Sequence, residues 1–338
     1  MKLASATIRD VARHADVSVA SVSRALNGHS NVHPDTRARV LASAKSLGYV
    51  PHAGARSLSM ARTHAIGVIL PDLHGEFFSE IVRGMDRETG GRGYHLLLSN
   101  MHADAELAAQ AMRSMRGRVD GLIVMAPQID AAGLDEALPG GIPAMLINSH
   151  DNGTRPAMRV DNHAGIDAVV RHLTAAGRRA LVHVAGPAGN IDARERREGF
   201  VAAMARHAPG QPVRIVEGNF REEAGERAVA TLLDEGGTLD GIVAANDMMA
   251  LGALQALKDA GIDVPDAVAV TGFDDVPLAR YLGLTTVRVH LADMGARAVA
   301  RLIDALEGDG PDAPDTNETE LVTPELVVRA STVRRMHA

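Results

Sequence analysis

Residues 7–27 read TIRDVARHADVSVASVSRALN, and helical spacing resolves them into two short amphipathic pieces. Thr7 stands three residues before Asp10, the arrangement of an N-cap close to a capping box. On a helix from Ile8, the residues Ile8, Val11, Ala12 and Ala15 share one face, and Arg9, Asp10, Arg13 and His14 take the other. Asp16-Val17-Ser18 interrupts, and Ser18 can cap a second helix from Val19. There Ser21, Val22, Ala25 and Leu26 form a small apolar face, while Val19, Ala20, Ser23, Arg24 and Asn27 point away from it. Two short helices joined by so tight a turn describe a helix-turn-helix. A slim outward face suits the major groove, which admits a helix only where its side chains are short near the base edges. A third helix follows, with Pro34 in its first turn, Val40, Leu41, Ala44 and Leu47 as its buried stripe, and Gly48 as its stop. A plain three-helix bundle is the competing interpretation, and charge separates the two.

The chain of 338 residues carries a net charge of −7, with 46% hydrophobic and 23% charged residues. On average that argues against a polyanion partner. Residues 1–64, however, hold nine bases against three acids, a net of +6, and the remaining 274 residues hold 26 bases against 39 acids, a net of −13. A basic head on an acidic body is the electrostatic footprint of a nucleic-acid binder. The absence of cysteine excludes a disulfide scaffold, a thiolate zinc site and a cysteine nucleophile. The opening MKLASATIRDVARHAD has no apolar core of signal-peptide length, and charges break every apolar run that could span a bilayer. The expectation is a cytoplasmic protein with no membrane partner.

Residues 7–58, TIRDVARHADVSVASVSRALNGHSNVHPDTRARVLASAKSLGYVPHAGARSL, resemble the headpiece of lactose/galactose-repressor (LacI/GalR) family regulators nearly residue for residue. The resemblance continues through the rest of the chain. It implies that Thr7, Val19, Ala20, Ser23, Arg24 and Asn27 face DNA, with Val19 and Ala20 selecting operator bases. It also implies that residues 52–59 form a hinge helix in the minor groove, where Ala55 fits the groove and Leu58 wedges into the central step and kinks the duplex. Gly54 inside that helix costs roughly 1 kcal/mol relative to alanine, so folding of the hinge is expected only on DNA. Asp16 replaces the glycine common in the turn, and aspartate tolerates positive φ better than most residues. His33 replaces the usual serine or threonine cap of the third helix, so a weaker cap is expected. His14, His29, His33 and His52 show no ligand spacing, and neither metal nor cofactor is expected.

From Ala65 the pattern becomes β-α-β. Apolar runs AIGVIL, YHLLLS, DGLIVMA and PAMLIN alternate with helical stretches such as 77–89 and Ala105–Met115. After Asp161 the rhythm restarts with ALVHVAG, VRIVEG, DGIVAAN and AVAVTGF. DGLIVMA and DGIVAAN echo each other, which implies two similar halves, each a doubly wound parallel sheet covered on both faces. The whole is then a small all-α helix-turn-helix headpiece plus an α/β body of two doubly wound parallel-sheet subdomains, periplasmic-binding-protein-like. The expected division is 1–52 for the headpiece, 53–64 for hinge helix and linker, 65–161 plus 291–322 for the first subdomain, and 162–290 plus 323–338 for the second.

Two such halves create a cleft, and ligands bind outside the carboxyl ends of the strands. Those ends carry Asp72, Asn148, Asp161, Asn246, Asp247, Asp274 and Asp275, with Asp192, Arg196 and Phe220 in loops or first turns. For any single aspartate a helix cap is the commoner use. Together, carboxylates, amides, an arginine and aromatics suit a polyhydroxylated ligand. The resemblance implies the same, matching Phe77, Phe78, Asn148, Asp192, Arg196, Phe220, Asn246 and, first of all, Asp274 to effector-cleft positions; Asp72 and Asp161 complete the expected set. The chain departs from the family pattern after Arg280-Tyr281, where LGLTTV is about two residues short and HLADMG replaces a segment that usually begins Gln-Pro.

The expected function is a transcriptional repressor that binds a palindromic operator as a homodimer and is controlled by a small effector, a sugar. A sugar-binding transport protein shares the body's architecture but would have no use for residues 1–64. A nucleotide-dependent enzyme is disfavoured because PDLHGEFF follows the first strand with no G-x-G-x-x-G, no P-loop occurs, and no catalytic triad motif is recognisable.

Overall fold

The computed structural model describes residues 6–27, 31–50, 62–102, 104–138, 140–150, 153–308 and 318–333, and the chain divides into two compact units, Met1–His64 and Ala65–Ala338. The expected hinge helix at 52–59, with Ala55 and Leu58, lies outside the described residues, as do His29 and His52.

In the first unit, α1 (Ile8–His14), α2 (Val19–Leu26) and α3 (Pro34–Ser46) form the three-helix head. The capping box on α1 is complete: the Thr7 hydroxyl accepts from the Asp10 N–H, and the Asp10 carboxylate accepts from the Thr7 N–H at 2.9 Å. The Asp16 backbone turns at φ 49, a conformation its short polar side chain tolerates. Ser18 caps α2 by accepting from the Ser21 N–H at 3.1 Å. His33 does cap α3, its imidazole Nδ1 accepting from the Asp35 N–H at 3.4 Å. Val11, Ala12, Ala15, Val22, Ala25, Val40 and Ala44 make the core. One expectation fails here. Leu41 is 50% exposed, and Ser43, 4% exposed, takes the inward place and meets His14 Nδ1 at 3.0 Å. The i, i+3, i+4, i+7 stripe from Val40 runs through Ser43, Ala44 and Leu47, so the helix phase overrides the hydrophobicity of Leu41.

The second unit contains two parallel sheets and one short antiparallel pair. The six-stranded sheet takes β1 (Ala65–Leu70), β2 (His95–Asn100), β3 (Gly121–Val124), β4 (Ala144–Ile147), β5 (Ala157–Val160) and β11 (Thr319–Val322), in the order β11-β5-β4-β3-β1-β2. The four-stranded sheet takes β6 (Leu181–Val184), β7 (Arg214–Val216), β8 (Gly241–Ala244) and β9 (Ala269–Thr271), in the order β7-β6-β8-β9. All neighbours in both are parallel. β10 (Thr286–Arg288) and β12 (Glu325–Val327) pair antiparallel. The chain passes between the two parallel sheets three times: after β5, after β10, and between β11 and β12. β1, β3, β4, β6 and β8 are buried on both faces, as strands covered by helices must be. All eight strand runs quoted above are present, and ELVTPELVVRAS, whose sequence also reads as closing strands, supplies β11 and β12; β5 and β10, short and carrying Arg159 and Arg288, are not apparent in the sequence.

Glycine lets helices meet closely at corresponding places in the two halves. Between α4 (Glu76–Gly91) and α12 (Leu291–Glu307), a Cβ on Gly84 would lie 1.8 Å from the Ala292 carbonyl oxygen, and one on Gly295 2.2 Å from that of Ile81. Between α9 (Glu222–Glu235) and α10 (Asp247–Asp259), a Cβ on Gly225 would lie 1.9 Å from the Met249 oxygen, and one on Gly252 1.9 Å from that of Glu222. Gly90, also helical, is exposed and has open space around it. Gly225→Ala should therefore destabilise the body by about 1–3 kcal/mol or more, whereas Gly90→Ala should be neutral or stabilise it by up to ~1 kcal/mol. Denaturant melts of the two variants check the contrast.

Candidate functional site

In the head, the second helix presents Val19, Ala20 and Arg24 to solvent, with Ser23 and Asn27 half-buried beside them. Arg24 Nε donates to the Ala20 carbonyl at 3.3 Å, and Asn27 Nδ2 to Ser23 Oγ at 3.4 Å. Val19, 42% exposed, is held there by the Ser18 cap and the inward packing of Val22 and Ala25. Thr7 is exposed, but its hydroxyl is engaged with Asp10 at 2.7 Å. The arrangement is a rigid ridge of short side chains flanked by a guanidinium, able to enter a groove of about 12 Å.

In the body, strand order reverses at β3-β1-β2 in one sheet and at β8-β6-β7 in the other. A cavity of about 360 Å³ opens at the carboxyl ends of these strands. Pro71 and Asp72 follow β1, Met125 and Gln128 follow β3, Pro187 and Asn190 follow β6, and Asn246 and Met248 follow β8; all line it. Of the expected residues, the cavity brings together Asp72, Phe77, Phe78, Asp192, Arg196, Phe220, Asn246 and Asp274. Two do not line it. Asp161 caps α7 (Asn162–Ala175) by accepting from the Ala164 N–H at 2.9 Å, the ordinary use of an aspartate there. Asn148 is buried beyond β4 at φ 43, with neither side-chain polar atom hydrogen-bonded. His74, His102, Gln128 and Arg221 line the cavity without having been singled out; Gln128 stands two residues past the DGLIVMA strand run, where the strand-end rule could have found it.

Arg196, on α8 (Ile191–His207), is 3% exposed and met from all sides. Its Nε donates to Asn162 Oδ1 at 2.8 Å and one terminal nitrogen to the Ala245 carbonyl at 2.5 Å. The same nitrogen lies 3.6 Å from Asp274 Oδ1, and the guanidinium carbon sits 3.7 Å from the Phe273 ring centroid. Asn162 also donates to Asp192 Oδ1 at 2.9 Å. Phe220 adopts φ 68, and its ring would come within 2.4 Å of a Cβ on Gly186. Asn246 caps α10 through the Met249 N–H and donates to the Phe220 carbonyl at 2.9 Å.

The turn that presents Asp274 has positive φ at two consecutive aspartates, 115 and 56, a conformation that persists only where its surroundings impose it. They do so from several sides. The Asp274 N–H donates to the Val287 carbonyl at 2.8 Å. Asp275 accepts from Arg288 Nε at 2.6 Å and pairs with Arg329 at 2.7 Å. Asp247 accepts from the Val276 N–H at 2.9 Å and the Thr286 hydroxyl at 2.5 Å. Burial, with the Asp192 charge nearby and Arg196 opposing, pushes the Asp274 carboxyl up to about 7. Burial, aided by Asp274, also raises Asp247, and burial raises Asp192 against Arg196 and Asn162.

At the mouth, three contacts join the segment after β1 to the other half. Arg221 pairs with Asp72 at 3.2 Å, His74 lies 3.6 Å from Glu222, and Glu76 accepts from the Leu278 N–H at 2.9 Å. Partial burial would raise Asp72, but the Leu73 and His74 N–H groups and Arg221 outweigh it and hold the carboxyl low. Among the described residues, no cluster of three or more histidine, aspartate or glutamate side chains could hold a metal ion.

A helix-turn-helix head and a two-lobed α/β body with a polar cavity at its strand switch points define a ligand-responsive DNA-binding regulator. Residues 7–52 match the family model for bacterial regulatory proteins of the lacI family, and residues 170–332 match that for a periplasmic binding protein-like domain. The ribose operon repressor of Halalkalibacterium halodurans is 32% identical over 96% of this chain and 97% of its own length. The solved lac repressor dimer bound to operator and the anti-inducer ONPF superposes with a TM-score of 0.87 at 28% identity, covering 98% of this chain and 100% of that one. A LacI family regulator from Enterococcus faecium, with bound ribose, gives a TM-score of 0.71 at 25% identity over 80% of this chain and 98% of that one. The chain belongs to the LacI/GalR family: it is a DNA-binding transcriptional repressor with an effector-binding body, and not an enzyme.

The folded pKa of Asp274, about 7, lies above the unfolded value of 3.8. Its contribution to stability is therefore fully present below 3.8 and is lost as pH rises through about 7. Thermal melts of ligand-free protein should show wild type losing stability relative to Asp274→Asn across that window. A constant difference between the two would contradict the assignment.

Proposed function

We propose that this repressor binds a palindromic operator as a homodimer in the cytoplasm, and that a sugar bound between the two lobes of its body sets the operator affinity. The observation that carries the effector half is Asp274, a buried side chain in the cavity lining whose Oδ1 has no hydrogen-bond partner. An acceptor in that condition calls for a hydroxyl donor, and Phe77, Phe78 and Phe220 offer the apolar faces on which a pyranose or furanose ring packs. Asp72, Asp192, Arg196, Asn246 and Asp274 supply the polar contacts. The relatives support this sense, since one is the repressor of a ribose operon and another holds ribose. The moving parts are the lobes 65–161 plus 291–322 and 162–290 plus 323–338, joined by three strand crossings that suit hinge closure.

On the DNA side, Val19 and Ala20 read bases, Ser23, Arg24 and Asn27 contact bases or phosphates, and Thr7 faces the backbone. Residues 52–59, with Ala55 and Leu58, are the proposed minor-groove hinge. One slim helix reads only a few base pairs, so two copies on a two-fold site are needed for specificity. The lac repressor on its operator is such a dimer. Exposed apolar residues available for the dimer contact include Leu98 on the edge strand β2 and Tyr281 on α11 (Pro277–Leu282).

Exchanging Val19 and Ala20 should change which operator is preferred while leaving the dependence of log affinity on log salt unaltered, because that slope counts phosphate contacts. A changed slope with unchanged preference would contradict their role as base readers. Asp274→Ala should keep wild-type operator affinity in a gel-shift titration but abolish the response of that affinity to the effector. A variant that still responds normally would remove Asp274 from the site.

A further inference from the structure

We propose that the cavity selects an uncharged polyhydroxylated ligand, a free sugar or sugar alcohol, and rejects the phosphate, acid and amino forms of the same skeleton. This rests on the cavity being the effector site.

An anionic group would need an uncommitted cation within the cavity; of the basic side chains in its lining both arginines are engaged, His74 faces Glu222 at 3.6 Å, and His102 is exposed to solvent. Arg196 is occupied by Asn162, the Ala245 carbonyl, the Phe273 face and Asp274, and Arg221 by Asp72. Arg196 is also held too firmly to be redirected, being buried with its four contacts supplied by three separate segments of the body. What such a group would find instead is carboxylate. Asp72, Asp192 and Asp274 all line the cavity, and the hydrogen bond to Asp192 comes from the Asn162 amide rather than a guanidinium. Like charges brought together in a site of low polarity repel strongly.

A cationic group fails for the complementary reason. Each lining carboxylate it would seek is already met, Asp72 by Arg221 at 3.2 Å, Asp274 by Arg196 at 3.6 Å and Asp192 by the Asn162 amide at 2.9 Å, and an ammonium beside Asp72 or Asp274 would be pressed against a guanidinium. The buried polar atoms of the lining that lack a hydrogen bond are Asp274 Oδ1 and Gln128 Oε1, both acceptors. Neutral O–H donors match acceptors of this kind without adding charge. The apolar remainder of the lining, with the Phe77 and Phe78 rings edge to face at 5.1 Å, accepts the C–H face of a ring and offers nothing to an ion.

The test is calorimetric titration of the full-length protein with pentoses, hexoses, disaccharides and sugar alcohols, each run beside its phosphate ester, its acid and its amino counterpart. The uncharged parent that binds should do so at least ~100-fold more tightly than each charged form. A charged form that binds as tightly as its parent, or more tightly, overturns the proposal while leaving the effector site standing. Silence of every compound, charged and uncharged, overturns the sugar assignment itself. Asp192→Asn removes one carboxylate and should narrow the gap between parent and phosphate by ~10-fold or more; an unchanged gap shows that the lining carboxylates do not set the selectivity.

Discussion

A guanidinium taken out of water must be met on every side, and the body of this protein is arranged around meeting one. Arg196 is held by Asn162, which stands just past the first crossing between the lobes. It is also held by the Ala245 carbonyl beyond β8 and by Asp274 and Phe273 in the turn after β9. Removing any partner would leave a buried charge under-compensated, the costly half of the asymmetry between making and breaking such pairs. The same constraint keeps Asp274 in a strained turn, since the pair of positive-φ aspartates survives only because Asp247, Arg288 and Arg329 tie the neighbouring backbone and the Asp275 side chain to β10 and to the segment after β12. The cavity carboxylate and the strands on which the lobes turn are thus one connected polar network. A ligand that changes the hydrogen bonding of Asp274 acts on that network, and so has a physical route to the lobe arrangement.

The net charge of −7 is the sum of two separate jobs. A charge of +6 on residues 1–64 suits the polyanion that a lacI-family head binds, and the −13 of the remaining residues does not. The carboxylates that burial pushes above the ordinary range, Asp192, Asp247 and Asp274, sit together in the body.

Much of this was legible in the sequence because it is local. Thr7 with Asp10, Ser18 before Val19 and Pro34 at a first turn are signals within four residues of one another, and each is a cap or helix start in the structure. The eight apolar runs became strands for the same reason. What was illegible depends on partners far away in the chain. β5 is a short run containing Arg159 and becomes a strand only between β4 and β11, the latter some 160 residues on. Leu41 looked inward because it is apolar, yet the helix phase set by its neighbours turned it out in favour of Ser43. In the site, strand-end position and family resemblance together named eight residues that line the cavity, but neither could tell Asp161, satisfied by its own helix, from Asp274, left unsatisfied. That difference is one of three-dimensional surroundings.

Control of operator affinity by an effector requires that the cavity in the body and the ridge of Val19 and Ala20 in the head share one free-energy balance. Its most direct test is reciprocity: the effector affinity measured by calorimetry for the protein alone and again for the protein saturated with operator DNA. The two affinities should differ by about 5–150-fold, and by the same factor with which the effector changes operator affinity. Equal effector affinities in the two states, for a ligand that occupies the cavity, would contradict it.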